Sequence, residues 1–186
     1  MTGVFFAIVG ASGVGKDTLI DGARAALKDD PRYVFARRAI TRPADAGGEE
    51  HEAVSEDAFE RRRAAGEFLV WWRAHGLSYG LPARLRDELA AGRHVVANGS
   101  REALAAMMAA IETLAVIEIV APPEVVAQRL KSRGREEEAV IAARLKRQRA
   151  PFPIGLPVTA VCNDASAAVG IKRLLTALRV PTHASV

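Results

Sequence analysis

The chain opens with a continuous apolar run that gives way to a glycine-rich stretch and then to an amphipathic pattern. The run 4–9 has the length and unbroken hydrophobicity of a strand that is buried on both faces. Over 17–28, apolar residues recur at helical spacing, and the pair of acidic residues before Pro31 ends the pattern. The start of the chain is therefore predicted to be strand, glycine loop and helix.

Apolar runs and helical patterns continue to alternate along the rest of the chain. Further strands are predicted at 33–35, 67–72, 94–98, 114–120 and 158–162, and residues 76–80 are predicted to be a turn that leads into a second short strand. Helices are predicted at 55–65, with Ser55 as N-cap, and at 82–91, 101–111, 124–132, 136–148 and 165–178. This alternation predicts an α/β fold with a parallel sheet and helices on both faces.

One segment breaks the alternation with short hairpin-like pieces and a charged loop. It indicates a small inserted lobe beside the glycine loop, at the edge of the sheet where α/β proteins bind ligands. We divide the chain, taken as a single domain over 1–186, into a core (1–36, 82–132 and 156–180), this lobe (37–81) and a helical lid (133–155).

Composition narrows the class of protein. The 186 residues are 49% hydrophobic, which suits one globular domain and argues against disorder. No apolar run approaches the about 18–20 residues of a membrane span, and the first strand begins too early to leave room for a signal peptide. Cys162 is the only cysteine, which excludes an internal disulfide and fits the cytoplasm.

The net charge of +4 suits a polyanionic ligand. Nucleic acid is disfavoured as a partner, because the arginines are scattered among acidic residues and aromatics make up only 5% of the chain. The sequence does not reveal the oligomeric state, and a homodimer is compatible with it.

The glycine stretch has the spacing of a phosphate-binding P-loop. Its residues are Gly10, Ala11, Ser12, Gly13, Val14, Gly15 and Lys16. Glycines let successive N–H groups turn inward around a phosphate, and the lysine reaches the β- and γ-phosphates of a triphosphate. The bland alternative is a turn that merely joins strand to helix, and the coincidence of strand, glycines, lysine and helix argues against it.

The position after the lysine departs from the standard loop. A Ser or Thr there normally holds Mg²⁺, but this chain has Asp17, followed by Thr18. We expect Asp17 or Thr18 to coordinate Mg²⁺, directly or through a water molecule. No acidic residue ends the strand at Asn98, so a second standard metal-binding motif is missing.

Several separate motifs together resemble the guanylate kinase branch of the P-loop kinases. Besides the P-loop they are Thr41-Arg42-Pro43, Gly66-Glu67-Phe68, Tyr79-Gly80, residues 129–134, Arg144-Leu145 and Asn163-Asp164. The resemblance covers nearly the whole chain and implies a P-loop kinase fold that uses ATP and Mg²⁺. It implies that Arg42 belongs to the acceptor lobe, that Arg133 and Arg144 embrace the transferred phosphoryl group, and that Asn163 lies beside the adenine.

Three departures from the guanylate pattern concern the acceptor. Asp45 stands in place of a second phosphate-binding arginine, and His51 in place of a phosphate-binding tyrosine. Val70 stands where the family has a glutamate that reads guanine. Because valine cannot accept hydrogen bonds from a base, GMP is not the expected acceptor.

The segments 40–55, 74–80 and 96–101 are similar to the ribose 1,5-bisphosphate phosphokinases of phosphonate catabolism. That resemblance implies transfer of the γ-phosphoryl group of ATP to ribose 1,5-bisphosphate, giving 5-phosphoribosyl 1-diphosphate (PRPP). The residues expected to contact this acceptor are Arg42, Glu50, His51, His75, Tyr79, Ser100 and Arg101. Asp45 and Glu49 are weighed with Glu50 as partners of ribose hydroxyls or as solvated charges.

Two other functions compete with this reading. A nucleoside monophosphate kinase would share the loop and differ only in its acceptor. A guanylate-kinase-like module that binds protein ligands could dispense with ATP, but the presence of Lys16, Arg133 and Arg144 argues against it.

Overall fold

The structure, a computed structural model, describes residues 2–45, 49–132 and 151–179. Its strands are β1 (Phe5–Val9), β2 (Tyr33–Phe35), β3 (Ala39–Ile40), β4 (Glu52–Ala53), β5 (Phe68–Ala74), β6 (Leu77–Pro82), β7 (His94–Asn98), β8 (Leu114–Val120) and β9 (Val158–Cys162). Its helices are α1 (Lys16–Ala26), α2 (Glu56–Ala64), α3 (Leu85–Ala90), α4 (Leu104–Ala110), α5 (Pro123–Ser132) and α6 (Ala167–Arg179). A 3₁₀ turn, Arg101–Ala103, leads into α4.

A parallel sheet forms the centre of the molecule, as predicted. Within the described ranges it has five strands in the order β2-β7-β1-β8-β9, and every neighbouring pair is parallel. Ile8 of β1 lies beside Asn98 of β7 and Ile117 of β8. The carboxyl ends of these strands therefore meet at one edge, where the glycine loop leaves β1.

Helices cover both faces of this sheet. On one face α1 and α6 pack against Phe6 and Ile8 through residues such as Leu19 and Leu174. On the other face α3 and α4 pack against the opposite side of β1. The alternate residues of β1 are buried on both sides, which is why its sequence is continuously apolar.

A second sheet forms the inserted lobe. Among the described residues its strand order is β4-β3-β6-β5, with β5 and β6 as an antiparallel hairpin. Ser55 caps α2 of this lobe by accepting a hydrogen bond of 3.2 Å from the backbone N–H of Ala58. Val70 and Trp72 of β5 join the same buried cluster as α4, so the lobe is packed onto the core.

Some predicted boundaries are wrong. The helix predicted over 82–91 was expected to begin at Pro82, but this residue ends β6, where it pairs with Phe68, and α3 begins only at Leu85. Because proline lacks an N–H, the end of a strand accommodates it as readily as the first turn of a helix. The predicted helix 136–148 lies outside the described residues, as does most of the predicted lid. No described helix has both the length and the apolar character needed to cross a membrane.

Candidate active site

The glycine loop curls between β1 and α1 with its backbone in left-handed conformations. Gly13 and Gly15 have φ values of 85° and 90°, and Gly15 is the N-cap of α1. Lys16 is the first residue of the helix, and its Nζ donates to the carbonyl oxygen of Gly10 at 3.0 Å. The loop thus brings a lysine, a helix N-terminus and backbone N–H groups together, which is the chemistry that binds phosphate.

Two side chains donate hydrogen bonds to the backbone of the glycine loop. Asn163 follows β9 and is only 4% exposed, and its Nδ2 donates to the carbonyl oxygen of Val14 at 2.7 Å. Arg129 of α5 donates from Nη1 to the same carbonyl at 3.3 Å and to that of Asn163 at 3.0 Å. A Cβ on Gly15 would come within 2.6 Å of the Asn163 amide, so this contact also requires glycine. Asn163 thereby supports the loop, and its contact with a nucleotide stays a prediction.

The residue after Asn163 anchors the same turn. Arg173 of α6 donates to Oδ1 of Asp164 at 2.6 Å and to the carbonyl oxygen of Cys162 at 2.7 Å. The hydrogen bond from Arg173 lowers the pKa of Asp164. Burial raises the pKa of the Cys162 thiol, so this cysteine is not activated as a nucleophile.

Asp17 meets Asn98 at the edge of the sheet. The amide nitrogen of Asn98 donates to Oδ1 of Asp17 at 3.1 Å and to Oε2 of Glu49 at 2.6 Å. The P-loop pattern pairs a hydroxyl after the lysine with a carboxylate on a neighbouring strand. This chain has the carboxylate after the lysine and an amide on the strand.

The donor set here fits a Mg²⁺ ion that is shared with a nucleotide. Mg²⁺ is usually held by one or two carboxylates together with substrate phosphates and water, and Asp17 supplies a half-buried carboxylate directly beside the phosphate loop. No group of three or more His, Cys, Asp or Glu side chains able to hold a metal ion occurs among the described residues. Thr18, the alternative ligand, is exposed.

The inserted lobe contributes an aromatic pair capped by an arginine. The rings of Trp72 and Tyr79 stack at 5.3 Å with an angle of 6° between their planes. The guanidinium of Arg38 lies 5.5 Å and 5.0 Å from these two ring centroids. Its Nε donates to Oε1 of Glu49 at 2.7 Å, and Arg38 is only 8% exposed.

Arg42 and His51 are brought together as neighbours in the lobe. Nε2 of His51 lies 3.1 Å from the carbonyl oxygen of Arg42, and Nδ1 lies 3.3 Å from Nη2 of the Arg42 guanidinium. Nδ1 is also 3.0 Å from the carbonyl oxygen of Glu49. His51 is 4% exposed, so it is placed to hold Arg42 rather than to present its own ring to solvent. Its contact with the acceptor stays a prediction.

The other predicted acceptor residues lie in different settings. Arg101 forms an ion pair with Glu118, and its guanidinium lies 4.2 Å from the ring centroid of Phe152. The Ser100 hydroxyl hydrogen-bonds to Glu102. His75 stands exposed at the tip of the β5–β6 hairpin with a φ of 53°. Glu50 is exposed, with a carboxylate oxygen 3.7 Å from Nε of Arg37.

Two catalytic predictions lie outside the described residues, namely Arg133 and Arg144. Sequence reasoning missed Arg38 and the bridging role of Asn98, and left Glu49 out of the chosen site. Arg38 sits in a basic pair with Arg37, and nothing in the local pattern says which of the two turns toward the aromatic rings. The sequence did offer one indication for Asn98, because it is the polar residue that ends a buried strand, and that strand lies next to β1.

One family model and one solved structure show what this chain is similar to. The family model described as guanylate kinase matches residues 4–155. The solved guanylate kinase of Anaplasma phagocytophilum superimposes with a TM-score of 0.66 over 96% of this chain and 85% of that one, at 19% identity. At this identity the structural likeness shows the fold, which is the predicted P-loop kinase fold.

Closer relatives carry a narrower name. A protein of Agrobacterium fabrum named ribose 1,5-bisphosphate phosphokinase PhnN is 50% identical over 157 residues, covering 84% of this chain and 86% of the relative. A protein of Azorhizobium caulinodans named bifunctional ribose 1,5-bisphosphokinase-thymidine phosphorylase is 57% identical over 181 residues, 97% of this chain. This chain spans only 26% to 30% of the length of three such bifunctional relatives. The chain belongs to the guanylate kinase family, in the branch of the ribose 1,5-bisphosphate phosphokinases.

Proposed function

We propose that the chain transfers the γ-phosphoryl group of ATP to ribose 1,5-bisphosphate and so forms PRPP. The observation that carries the choice of acceptor is the placement of Val70. Its side chain is 4% exposed in the core that joins the lobe to α4, so the position that the guanylate pattern gives to a guanine-reading glutamate offers no acceptor to a base in this chain. A lobe that offers Arg42 but no base-reading carboxylate at this position suits a phosphorylated sugar. The relative of Agrobacterium fabrum, similar over most of its length, bears that activity in its name.

The reaction as proposed needs charge compensation and alignment more than a base. An oxygen of the 1-phosphate, already ionised, forms a bond to the γ-phosphorus while the bond from that phosphorus to the β,γ-bridging oxygen breaks and ADP leaves. Both reactants are anions, so their mutual repulsion is the main obstacle. Lys16 and the loop N–H groups would hold the ATP phosphates, and Arg42 and Tyr79 would hold the acceptor.

Mg²⁺ is the proposed cofactor, with Asp17 as its ligand from the protein. When bound, such an ion would neutralise charge on the phosphates of ATP. The role of Asp17 is supported by its position directly after Lys16 and by the hydrogen bond from Asn98, which orients its carboxylate.

Arg133 and Arg144 are proposed to neutralise the transferring group. An arginine in such a position is worth about 10³–10⁵ in rate in other phosphoryl-transfer enzymes. Both lie outside the described residues, so their roles rest on the match of residues 129–134 and Arg144-Leu145 to the family pattern.

The decisive experiment identifies the product. Pure protein is mixed with ATP, Mg²⁺ and ribose 1,5-bisphosphate, and the sugar product is examined by phosphorus NMR and mass spectrometry. We expect a diphosphate at C1 and one equivalent of ADP. Parallel assays of ADP release use GMP, AMP and dTMP as acceptors. A higher kcat/KM for any of these nucleotides would replace our proposal with a nucleoside monophosphate kinase.

A further inference from the structure

The side chain of Asn98 joins the nucleotide loop to the acceptor lobe. Asn98 ends β7 and is 8% exposed. Its amide nitrogen donates at 3.1 Å to Asp17, on the first turn of α1, and at 2.6 Å to Glu49, in the inserted lobe. Since both partners are carboxylates, each of the two amide hydrogens has one acceptor.

An asparagine suits this position for electrostatic reasons. Two carboxylates that approach the same atom repel each other, and a group with two donors screens that repulsion. An aspartate at position 98 would instead add a third negative charge to a partly buried cluster. An alanine would leave Asp17 and Glu49 with no group between them.

The link continues into the lobe. The second carboxylate oxygen of Glu49 accepts from Arg38, and Arg38 lies over the stacked rings of Trp72 and Tyr79. At the other end, Asp17 directly follows Lys16. A continuous set of hydrogen bonds and ring contacts therefore runs from the phosphate loop to the aromatic pair of the lobe.

We infer that Asn98 is a positioning residue that fixes the acceptor lobe against the nucleotide loop and so sets the alignment of acceptor with ATP. The inference rests on the proposed function, in which ATP binds on the loop and the acceptor on the lobe. Each substrate has its own contacts on one side of the link. With Mg²⁺ at saturating concentration, loss of Asn98 should therefore leave both KM values nearly unchanged and lower kcat, because misalignment of reacting groups costs rate even when both are bound.

The kinetic test uses Asn98→Ala and Asn98→Asp. We expect kcat to fall about tenfold or more in Asn98→Ala, and further in Asn98→Asp, with each KM within about twofold of wild type. Glu67→Gln is the matched control, since it breaks an ion pair with Arg62 that lies wholly inside the lobe. An unchanged kcat would overturn the inference. So would a raised KM with kcat retained, because Asn98 would then contact a substrate.

A second test needs no substrate. Unfolding is measured for wild type, Asn98→Ala, Glu49→Ala and the double variant. If the hydrogen bond joins lobe to core, the double variant should lose clearly less stability than the two single losses combined. Additive losses would overturn the inference. If the wild-type protein does not phosphorylate ribose 1,5-bisphosphate, the proposed function is wrong. The inference about Asn98 is then tested by the unfolding measurements on these four proteins and by kcat with the nucleotide that is phosphorylated.

Discussion

The carboxamide of Asn163 donates a hydrogen bond of 2.7 Å to the carbonyl oxygen of Val14, joining the end of β9 to the glycine loop. A loop that binds phosphate through its N–H groups must turn its carbonyl oxygens away from the anion. Arg129 donates to the same carbonyl at 3.3 Å, so two donors hold it in that orientation. The last strand of the sheet thereby helps to shape a site formed by the first.

Replacing Asn163 should weaken ATP binding. We expect Asn163→Ala to raise the KM for ATP about tenfold, since the Val14 carbonyl loses its closest donor and the loop N–H groups lose their fixed direction. The KM for the acceptor should stay within about twofold. Steady-state kinetics with each substrate varied in turn give both values. Asp164→Asn, which removes the charge of the neighbouring exposed ion pair with Arg173, is the control and should leave the KM for ATP unchanged.

Lys16 should be needed for turnover but not for folding. Lys16→Ala removes the mobile positive charge of the loop, and loss of one strong electrostatic contact to developing charge costs about 10²–10³ in kcat. Lys16 is half-buried on the first turn of α1, so the unfolding temperature should change little. ADP release and thermal unfolding measure the two quantities. Wild-type turnover in this variant would remove Lys16 from the mechanism.

The strands of the central sheet could be predicted because each is a short apolar run with no competing pattern. The P-loop could be predicted because its spacing reflects backbone geometry, which is local. The link through Asn98 could not, since it joins Asp17, Glu49 and a strand end that lie far apart along the chain. It also could not be predicted that Arg38, and not Arg37, covers the aromatic pair. Tertiary packing decides such contacts, and no single segment records them.

His51 should govern binding of the acceptor through Arg42. Its ring lies between the backbone carbonyl and the guanidinium of Arg42, so truncation frees that arginine to adopt other rotamers. We expect His51→Ala to raise the KM for ribose 1,5-bisphosphate about tenfold with the KM for ATP unchanged. His51→Asn, which keeps a donor for the Arg42 carbonyl, should recover part of the loss. A larger effect on ATP than on the acceptor would contradict this assignment.

Val70 should be required for packing, and a glutamate there should not create a guanylate kinase. Val70→Glu buries a carboxylate among apolar residues of β5 and α4, which should lower the free energy of unfolding by about 3 kcal/mol or more. Val70→Thr, similar in shape and uncharged, should cost less. Denaturant unfolding measures both variants, and ADP release with GMP should show no gain. A stable Val70→Glu variant that phosphorylates GMP would show that this side chain faces the acceptor.

His94 should make the stability of the fold depend on pH. The backbone N–H of Val4 donates to Nδ1 of His94 at 3.0 Å, and the ring lies against Phe6 and Tyr33. Burial, aided by the charge of Arg32, lowers the pKa of His94 in the folded chain. Below about pH 6.5 the unfolded chain binds this proton more readily than the folded one, so stability rises with pH. The contribution is fully present above about pH 6.5 and is lost as the pH falls from there toward the folded-state pKa.

Denaturant unfolding between pH 8 and pH 5 should show a shallower loss of stability in His94→Gln, which keeps an acceptor for the Val4 N–H but does not titrate. His75→Gln, at an exposed turn, should retain the wild-type slope, and equal slopes in His94→Gln and wild type would exclude His94 as the source.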